Sequence, residues 1–143
     1  MNRLRIAVTP ICVIALSVLA TPVHAMPKAL SCTFKTGNSG SYEAGGFRPG
    51  QAKPLSFSIQ AIDLQRQSAE LPADADKKPG TLRIVRALNA NHFIEAINEG
   101  FLNLTTVYDA DATTGQFPAV HSRHFGVLGQ ALYAQYTGFC TKQ

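Results

Sequence analysis

Apolar and polar residues alternate with a period of two along most of the chain after residue 25, which is the pattern of strands with one buried face. Residues 55–61 (LSFSIQA) show it most clearly. The side chains predicted to face inward there are Leu55, Phe57, Ile59 and Ala61. After this strand the apolar phase slips by one, to Ile62 and Leu64, and a β-bulge would produce such a slip. A short helix over residues 62–71 is the alternative.

The same alternation predicts seven more short strands. They span residues 30–36, 41–47, 81–88, 92–99, 101–108, 117–124 and 130–140. Polar or glycine-rich segments separate them, including a predicted turn at residues 37–40 (GNSG) and a tight hairpin at Gly100. The sequence shows no long amphipathic helix, internal repeat or low-complexity segment. It therefore predicts an all-β meander of eight or nine strands in which sequential strands pair as hairpins.

Residues 1–25 have the layout of a secretory signal peptide. Arg3 and Arg5 give a positive start, a mostly apolar run without charges follows, and Ala25 ends a small-residue cleavage site. The apolar run is too short for a membrane span, and prolines interrupt it. We expect cleavage to leave residues 26–143 as one domain without a membrane span, exported to a periplasm or to the extracellular space.

Two cysteines remain after the leader, Cys32 near the start of the domain and Cys140 near its end. In an exported chain an isolated pair is most simply a disulfide. The alternative is a lipid anchor on Cys32, but residues 29–32 (ALSC) match the usual small-residue pattern poorly. A lipid there would also leave Cys140 without a partner.

A disulfide between the first and last strands would require the two ends of the sheet to meet, because it needs Cα atoms within about 7 Å. The predicted fold is therefore a small antiparallel up-and-down β-barrel of about eight strands, with its ends joined by the disulfide. A two-sheet β-sandwich is the alternative. In outline the barrel resembles the small lipocalin- and avidin-type barrels. The motifs that define those families do not occur, so the resemblance implies architecture alone.

The charge balance excludes some classes of partner. The formal net charge of +4 falls to +2 without Arg3 and Arg5, and no block of Lys and Arg is long enough for a nucleic-acid patch. No nucleic acid is therefore expected as a partner. The sequence also predicts no cofactor.

The segment at residues 121–124 (HSRH) is the obvious candidate for chemistry, and its spacing argues against it. Residues three apart on a strand face opposite sides, so His121 and His124 would not share a metal ion unless the strand were bulged. Ser122 lacks the G-x-S-x-G elbow of a hydrolase, and His121 is badly placed to act as its base. No catalytic or metal-binding residue is therefore assigned.

A ligand pocket inside the barrel is the alternative use of these polar residues. The candidate ligand-binding residues are His92, His121, Arg123, His124, Tyr133, Gln135 and Tyr136. A site would require convergence in one concavity, either of His92 with His121 or His124, or of Arg123 with Glu95.

The function expected from the sequence is that of an exported, non-catalytic binding domain whose ligand is a small molecule or a protein partner. Residues 37–54 are rich in Gly and Ser and carry aromatic residues, so they are a candidate protein-binding loop. A metal-dependent or hydrolytic enzyme that uses residues 121–124 is the alternative.

Overall fold

The computed structural model describes residues 26–73, 78–97 and 100–143. The expected signal peptide at residues 1–25 lies outside the described residues. Within the described ranges the chain forms nine antiparallel strands and no helix. The strands are β1 (Leu30–Glu43), β2 (Gly46–Gln51), β3 (Leu55–Asp63), β4 (Ser68–Leu71), β5 (Gly80–Arg86), β6 (Ala90–Ala96), β7 (Phe101–Tyr108), β8 (Phe117–Val127) and β9 (Gln130–Lys142).

One continuous sheet closes into a ring, which confirms the predicted barrel and its strand number. Strands β3 to β9 pair in sequence order, and β1 pairs with β3 on one edge and with β9 on the other. The ring therefore contains eight strands, and the sandwich alternative is wrong because no second sheet exists among the described residues. Strand β2 pairs only with the second half of β1, at residues 38–43. The first part of β1, residues 30–34, pairs with β3.

One end of the barrel is filled by an apolar core. Its fully buried side chains belong to residues that the alternation turns inward: Leu30, Phe34, Ile59, Ile84, Phe93 and Val107. The predicted Cys32–Cys140 disulfide is present in this core and joins directly opposed residues of β1 and β9. Since Cys32 is bonded to Cys140, its sulfur is not free to carry a lipid.

The predicted turn at residues 37–40 is wrong, because β1 continues through it as far as Glu43. The glycines there are strand residues that make room for aromatic rings of β9. A Cβ atom at Gly37 would lie 2.5 Å from the Tyr136 ring, and one at Gly40 would collide with the Tyr133 ring. The chain instead reverses direction further along, at Ala44 and Gly45, which have positive φ angles of 47° and 83°.

The phase slip after residue 60 is a β-bulge at Ala61. This residue has a φ of 50° and is exposed rather than inward-facing, whereas Ile62 is buried. The register between β3 and β4 shifts between Gln60 and Asp63. The alternative helix over residues 62–71 is wrong, since this segment forms a turn and β4.

Candidate functional site

The inward side chains of β6 to β9 form layers, because directly opposed residues of antiparallel strands point to the same side of the sheet. The layer at the upper boundary of the apolar core contains Phe93, Thr105, His121 and Tyr136. The next layer toward the other end contains Glu95, Asn103, Arg123 and Ala134. The barrel thus changes from apolar to polar along its axis.

The polar layers lie in an open cavity of about 640 Å³. Its apolar lining includes Leu55, Phe57, Leu71, Leu82, Phe93, Ile97 and Phe101. Its polar lining includes Lys78, Glu95, Asn103, Thr105, His121 and Arg123. An apolar wall with a few convergent polar groups is the usual composition of a small-molecule site.

His121 forms part of the cavity floor and is 4% exposed. Its Nδ1 lies 2.8 Å from the Thr105 hydroxyl, and its ring centroid is 5.1 Å from that of Phe57 and 5.8 Å from that of Tyr136. Burial, and then the charge of Arg123, lowers the pKa of His121 to about 4. The imidazole is therefore neutral at physiological pH and offers the cavity a hydrogen-bonding group without charge.

Glu95 and Arg123 line the same cavity, which is the convergence that the sequence analysis required of a site. They flank Asn103, whose amide nitrogen donates to Glu95 Oε2 at 2.7 Å. The Asn103 Oδ1 atom is buried and has no hydrogen-bond partner among the described residues. The Arg123 guanidinium lies 5.7 Å from the centroid of the Phe125 ring and makes no ion pair with any described carboxylate. Two opposite charges thus face the cavity without neutralising each other directly.

The structure divides the candidate ligand-binding residues between the two faces of the sheet. His121, Arg123 and Tyr136 face the interior, whereas the outward residues are His92, His124, Tyr133 and Gln135. The ring of His92 lies 2.9 Å from the Thr106 hydroxyl on the outer surface. Only the three inward residues can contribute to one interior site.

The histidines do not converge on a metal position. His92 and His124 face outward opposite Thr106 and Leu102, so they are separated by about 13 Å along β7 at a strand rise of ~3.3 Å per residue. His121 is on the other side of the sheet. In the described part of the chain no group of three His, Cys, Asp or Glu residues could hold a metal ion.

Several cavity residues were not identified from the sequence, although a signal for them exists. Phe101, Asn103, Thr105 and Val107 alternate along β7 with outward residues, as the period of two requires. If the alternation had been used to place Asn103 and Thr105 on the inward face beside Arg123 and His121, the predicted polar lining would have included them. Strand pairing was the missing information, because one sequence does not show that β6 and β7 bring Glu95 and Asn103 together.

The comparisons with known proteins return no match: no protein-family model, no curated protein and no solved structure matches this chain. Across residues 26–73, 78–97 and 100–143, no helix is long and apolar enough to cross a membrane. The Cys32–Cys140 disulfide is typical of chains that fold in an oxidising compartment. The fold and the cavity are therefore the observations on which a function can be argued.

Proposed function

We propose that this protein is an exported, non-catalytic binding domain that holds a small molecule in the open end of its barrel. The observation that carries the proposal is the cavity of about 640 Å³, closed below by the apolar core and lined by convergent polar groups. Its volume lies within the range of roughly 300–1,000 Å³ that is usual for ligand sites. The disulfide and the expected signal peptide support export to a periplasm or to the extracellular space.

The cavity lining favours a ligand with a largely apolar body and one or a few polar groups. Phe57 and Phe93 at the floor and Ile97 and Phe101 near the mouth would remove apolar surface from water. Polar groups of the ligand would pair with the layer that contains Asn103. Its buried oxygen has no partner among the described residues and is the kind of acceptor that a bound molecule or water satisfies.

Catalysis is not favoured by the geometry. Ser122 and His124 face outward and His121 faces inward, so the three residues of the enzymatic alternative do not share a surface. Binding of a protein partner, the other function expected from the sequence, stays a prediction. Its expected segment at residues 37–54 contains the β1–β2 hairpin, where the rings of Tyr42 and Phe47 pack edge to face.

The proposal is tested with N-phenyl-1-naphthylamine, a neutral apolar dye whose fluorescence rises on binding. We expect saturable binding of one dye per chain. Replacing Leu71 and Ile97 by Trp should block the mouth and abolish this binding, because both side chains line the cavity and neither belongs to the buried core. The matched control is Phe47→Ala on the outer surface, which should leave the affinity unchanged.

Absence of saturable dye binding to the wild-type protein would overturn the proposal. Binding that disappears in Phe47→Ala and survives in the folded Trp double variant would also overturn it, since the dye would then occupy the outside of the barrel. Both variants are first checked for a wild-type melting temperature.

A further inference from the structure

A second recess adjoins the main cavity on the inner side of the β1–β2 hairpin. Its volume is about 460 Å³, and Arg48, Lys53 and Arg123 line it together with Ser39 and Tyr136. In the strand register Arg48 opposes Ser41, which opposes Leu132 on β9, so the Arg48 backbone position faces the barrel interior. The recess therefore belongs to the open end of the barrel and not to its outer surface.

The described lining of the recess carries an excess of positive charge. Three basic residues line it, and no carboxylate among the described residues does. The hairpin's own acid, Glu43, lies at the edge of the recess, because it accepts a hydrogen bond of 2.6 Å from the hydroxyl of Ser41, which lines the recess. The one ion pair among the described residues joins Arg66 and Asp63 elsewhere on the chain, so Arg48, Lys53 and Arg123 have no anionic partner within the described ranges.

Arg123 connects the two spaces, because it lines both the main cavity and the recess. Its side chain is half-buried, and its guanidinium carbon lies 5.7 Å from the centroid of the Phe125 ring. A partly desolvated guanidinium without a counter-ion is unfavourable, and a bound anion would relieve this cost.

The distribution of charge specifies where an anion would bind. Glu95 lies on β6, two strands away from Arg123 on β8, and borders only the main cavity. In the main cavity the charge of Glu95 offsets that of Lys78, whereas the recess offers three cations and the Ser39 hydroxyl. One ligand would thus place its apolar body in the main cavity and its charged head in the recess.

We propose that the ligand is an amphipathic anion, with its apolar body in the main cavity and its carboxylate, sulfonate or phosphate head in the recess between Arg123, Arg48 and Lys53. This inference rests on the proposed function, because the apolar body occupies the same cavity. It adds the chemical class of the ligand and assigns Arg48 and Lys53, which the sequence did not single out, to the binding site.

The test compares two dyes that differ by one sulfonate. N-phenyl-1-naphthylamine is neutral, and 8-anilinonaphthalene-1-sulfonate has the same ring system with a negative group. We expect the wild-type protein to bind the sulfonate about tenfold more tightly at low ionic strength, because charge-assisted hydrogen bonds form to the head. Added salt should lower this ratio of affinities, because it screens the charges of the exposed Arg48 and Lys53.

Two variants locate the effect. Arg48→Gln on the exposed hairpin and Arg123→Gln at the junction should each reduce the ratio of the two affinities to about threefold or less. The matched control is Arg83→Gln, which removes one positive charge from an exposed position on β5 outside both spaces. It should leave the tenfold ratio intact.

The outcomes separate this inference from the proposed function. If neither dye binds saturably, the cavity is not a ligand site and both fail. If the neutral dye binds and the sulfonate binds no more tightly, or if Arg83→Gln lowers the ratio as much as Arg48→Gln, the anion site alone is overturned. Arg48→Gln keeps the test decisive even if Arg123→Gln does not fold.

Discussion

At the scale of single residues, His121 is the buried group whose ionisation is most strongly affected by the fold. It is enclosed by Phe34, Phe57 and Tyr136 and is paired with the Thr105 hydroxyl, so the imidazole loses water without gaining an anion. Its positive form is disfavoured by that burial and by Arg123 on the same inward face. The neutral ring is consequently part of the packed floor of the cavity.

The lowered pKa predicts a pH dependence of stability. Because the pKa of His121 is about 4 in the folded protein and near 6.5 in the unfolded chain, the unfolded chain binds the extra proton between these values. The stabilisation is thus complete above pH 6.5 and is lost as the pH falls toward 4. We expect the free energy of unfolding to fall by about 2.5 kcal/mol from pH 7.5 to 4.5, measured by urea denaturation.

His121→Gln should remove most of this dependence while His124→Gln, at an exposed outward position, should retain it. The carboxylates of Asp63 and Asp111 contribute little over this range. Backbone amide donors hold the folded-state pKa of each below its ordinary value of 3.8, so both stay largely ionised above pH 4.5 in the folded and the unfolded chain. Equal pH dependence in His121→Gln and wild type would contradict this account of the floor.

At the scale of strands, glycine and tyrosine are matched across β1 and β9. The ring of Tyr136 lies over Gly37 inside the barrel, and the ring of Tyr133 lies over Gly40 outside it. Strand β1 therefore remains straight where its composition indicates a turn, and its extension forms a wall of the cationic recess. The glycines serve close packing there and are not turn residues.

Gly37→Ala tests this arrangement. The new methyl group would meet the Tyr136 ring and the Gln135 carbonyl oxygen, so we expect a loss of about 1–3 kcal/mol in the free energy of unfolding. Gly46→Ala is the matched control, because no atom lies within 4 Å of the added Cβ. Chemical denaturation of both variants should show a clear difference, and equal stabilities would show that the glycine–tyrosine contact is unimportant.

The hairpin between β8 and β9 contains a strained residue. Leu128 precedes Gly129 in the turn, has a φ of 50° and is fully exposed. Asn tolerates this left-handed conformation better than Leu, and Asn-Gly is the preferred pair in such two-residue turns. Leu128→Asn should therefore raise the free energy of unfolding by about 0.5–1 kcal/mol in thermal or urea denaturation.

Ala131→Asn, at an exposed position just inside β9, is the control for adding an asparagine near the turn and should bring no gain. A loss of stability in Leu128→Asn would contradict the assignment of strain to this turn.

The period of two was sufficient to predict much of the sheet, and it failed where pairing decides the conformation. The bulge at Ala61 could be inferred from the phase slip between Ile59 and Ile62, because only an extra residue keeps both side chains inside. The continuation of β1 through residues 37–40 could not, since it depends on rings that come from β9, about one hundred residues later in the sequence.

At the scale of the whole molecule, the disulfide closes the ring of strands within the apolar core that lies beneath the cavity. Cys32 and Cys140 join β1 to β9 within the apolar core, and their sequence separation is 108 residues. In the chain-entropy model, such a loop destabilises the unfolded chain by about 4–5 kcal/mol. This stabilisation by the disulfide offsets the side-chain packing that the open end of the barrel lacks.

Replacing Cys32 and Cys140 together by Ala should therefore lower the free energy of unfolding by about 4–5 kcal/mol in urea denaturation. Reduction of the wild-type protein during unfolding should have a similar effect. A loss below about 1 kcal/mol would mean that the bridge does not constrain the unfolded chain as the loop model requires.

Closure of the barrel could be predicted from the sequence because a disulfide between Cys32 and Cys140 requires the first and last strands to lie next to each other. The interior site could be predicted only in part, for the same physical reason that limited the strands. Alternation placed His121 and Arg123 on one face, but the neighbours that complete the site, Asn103 and Arg48, come from strands whose register one sequence does not specify.

The central claim is that the open end of the barrel binds a small molecule with an apolar body, and nuclear magnetic resonance tests it most directly. Isotope-labelled protein is titrated with N-phenyl-1-naphthylamine, and the shifted resonances are assigned. We expect the shifts to concentrate at Phe57, Thr105 and His121 inside the barrel, with little change at the outward Phe47 and His124. Shifts confined to the outer surface would contradict the claim.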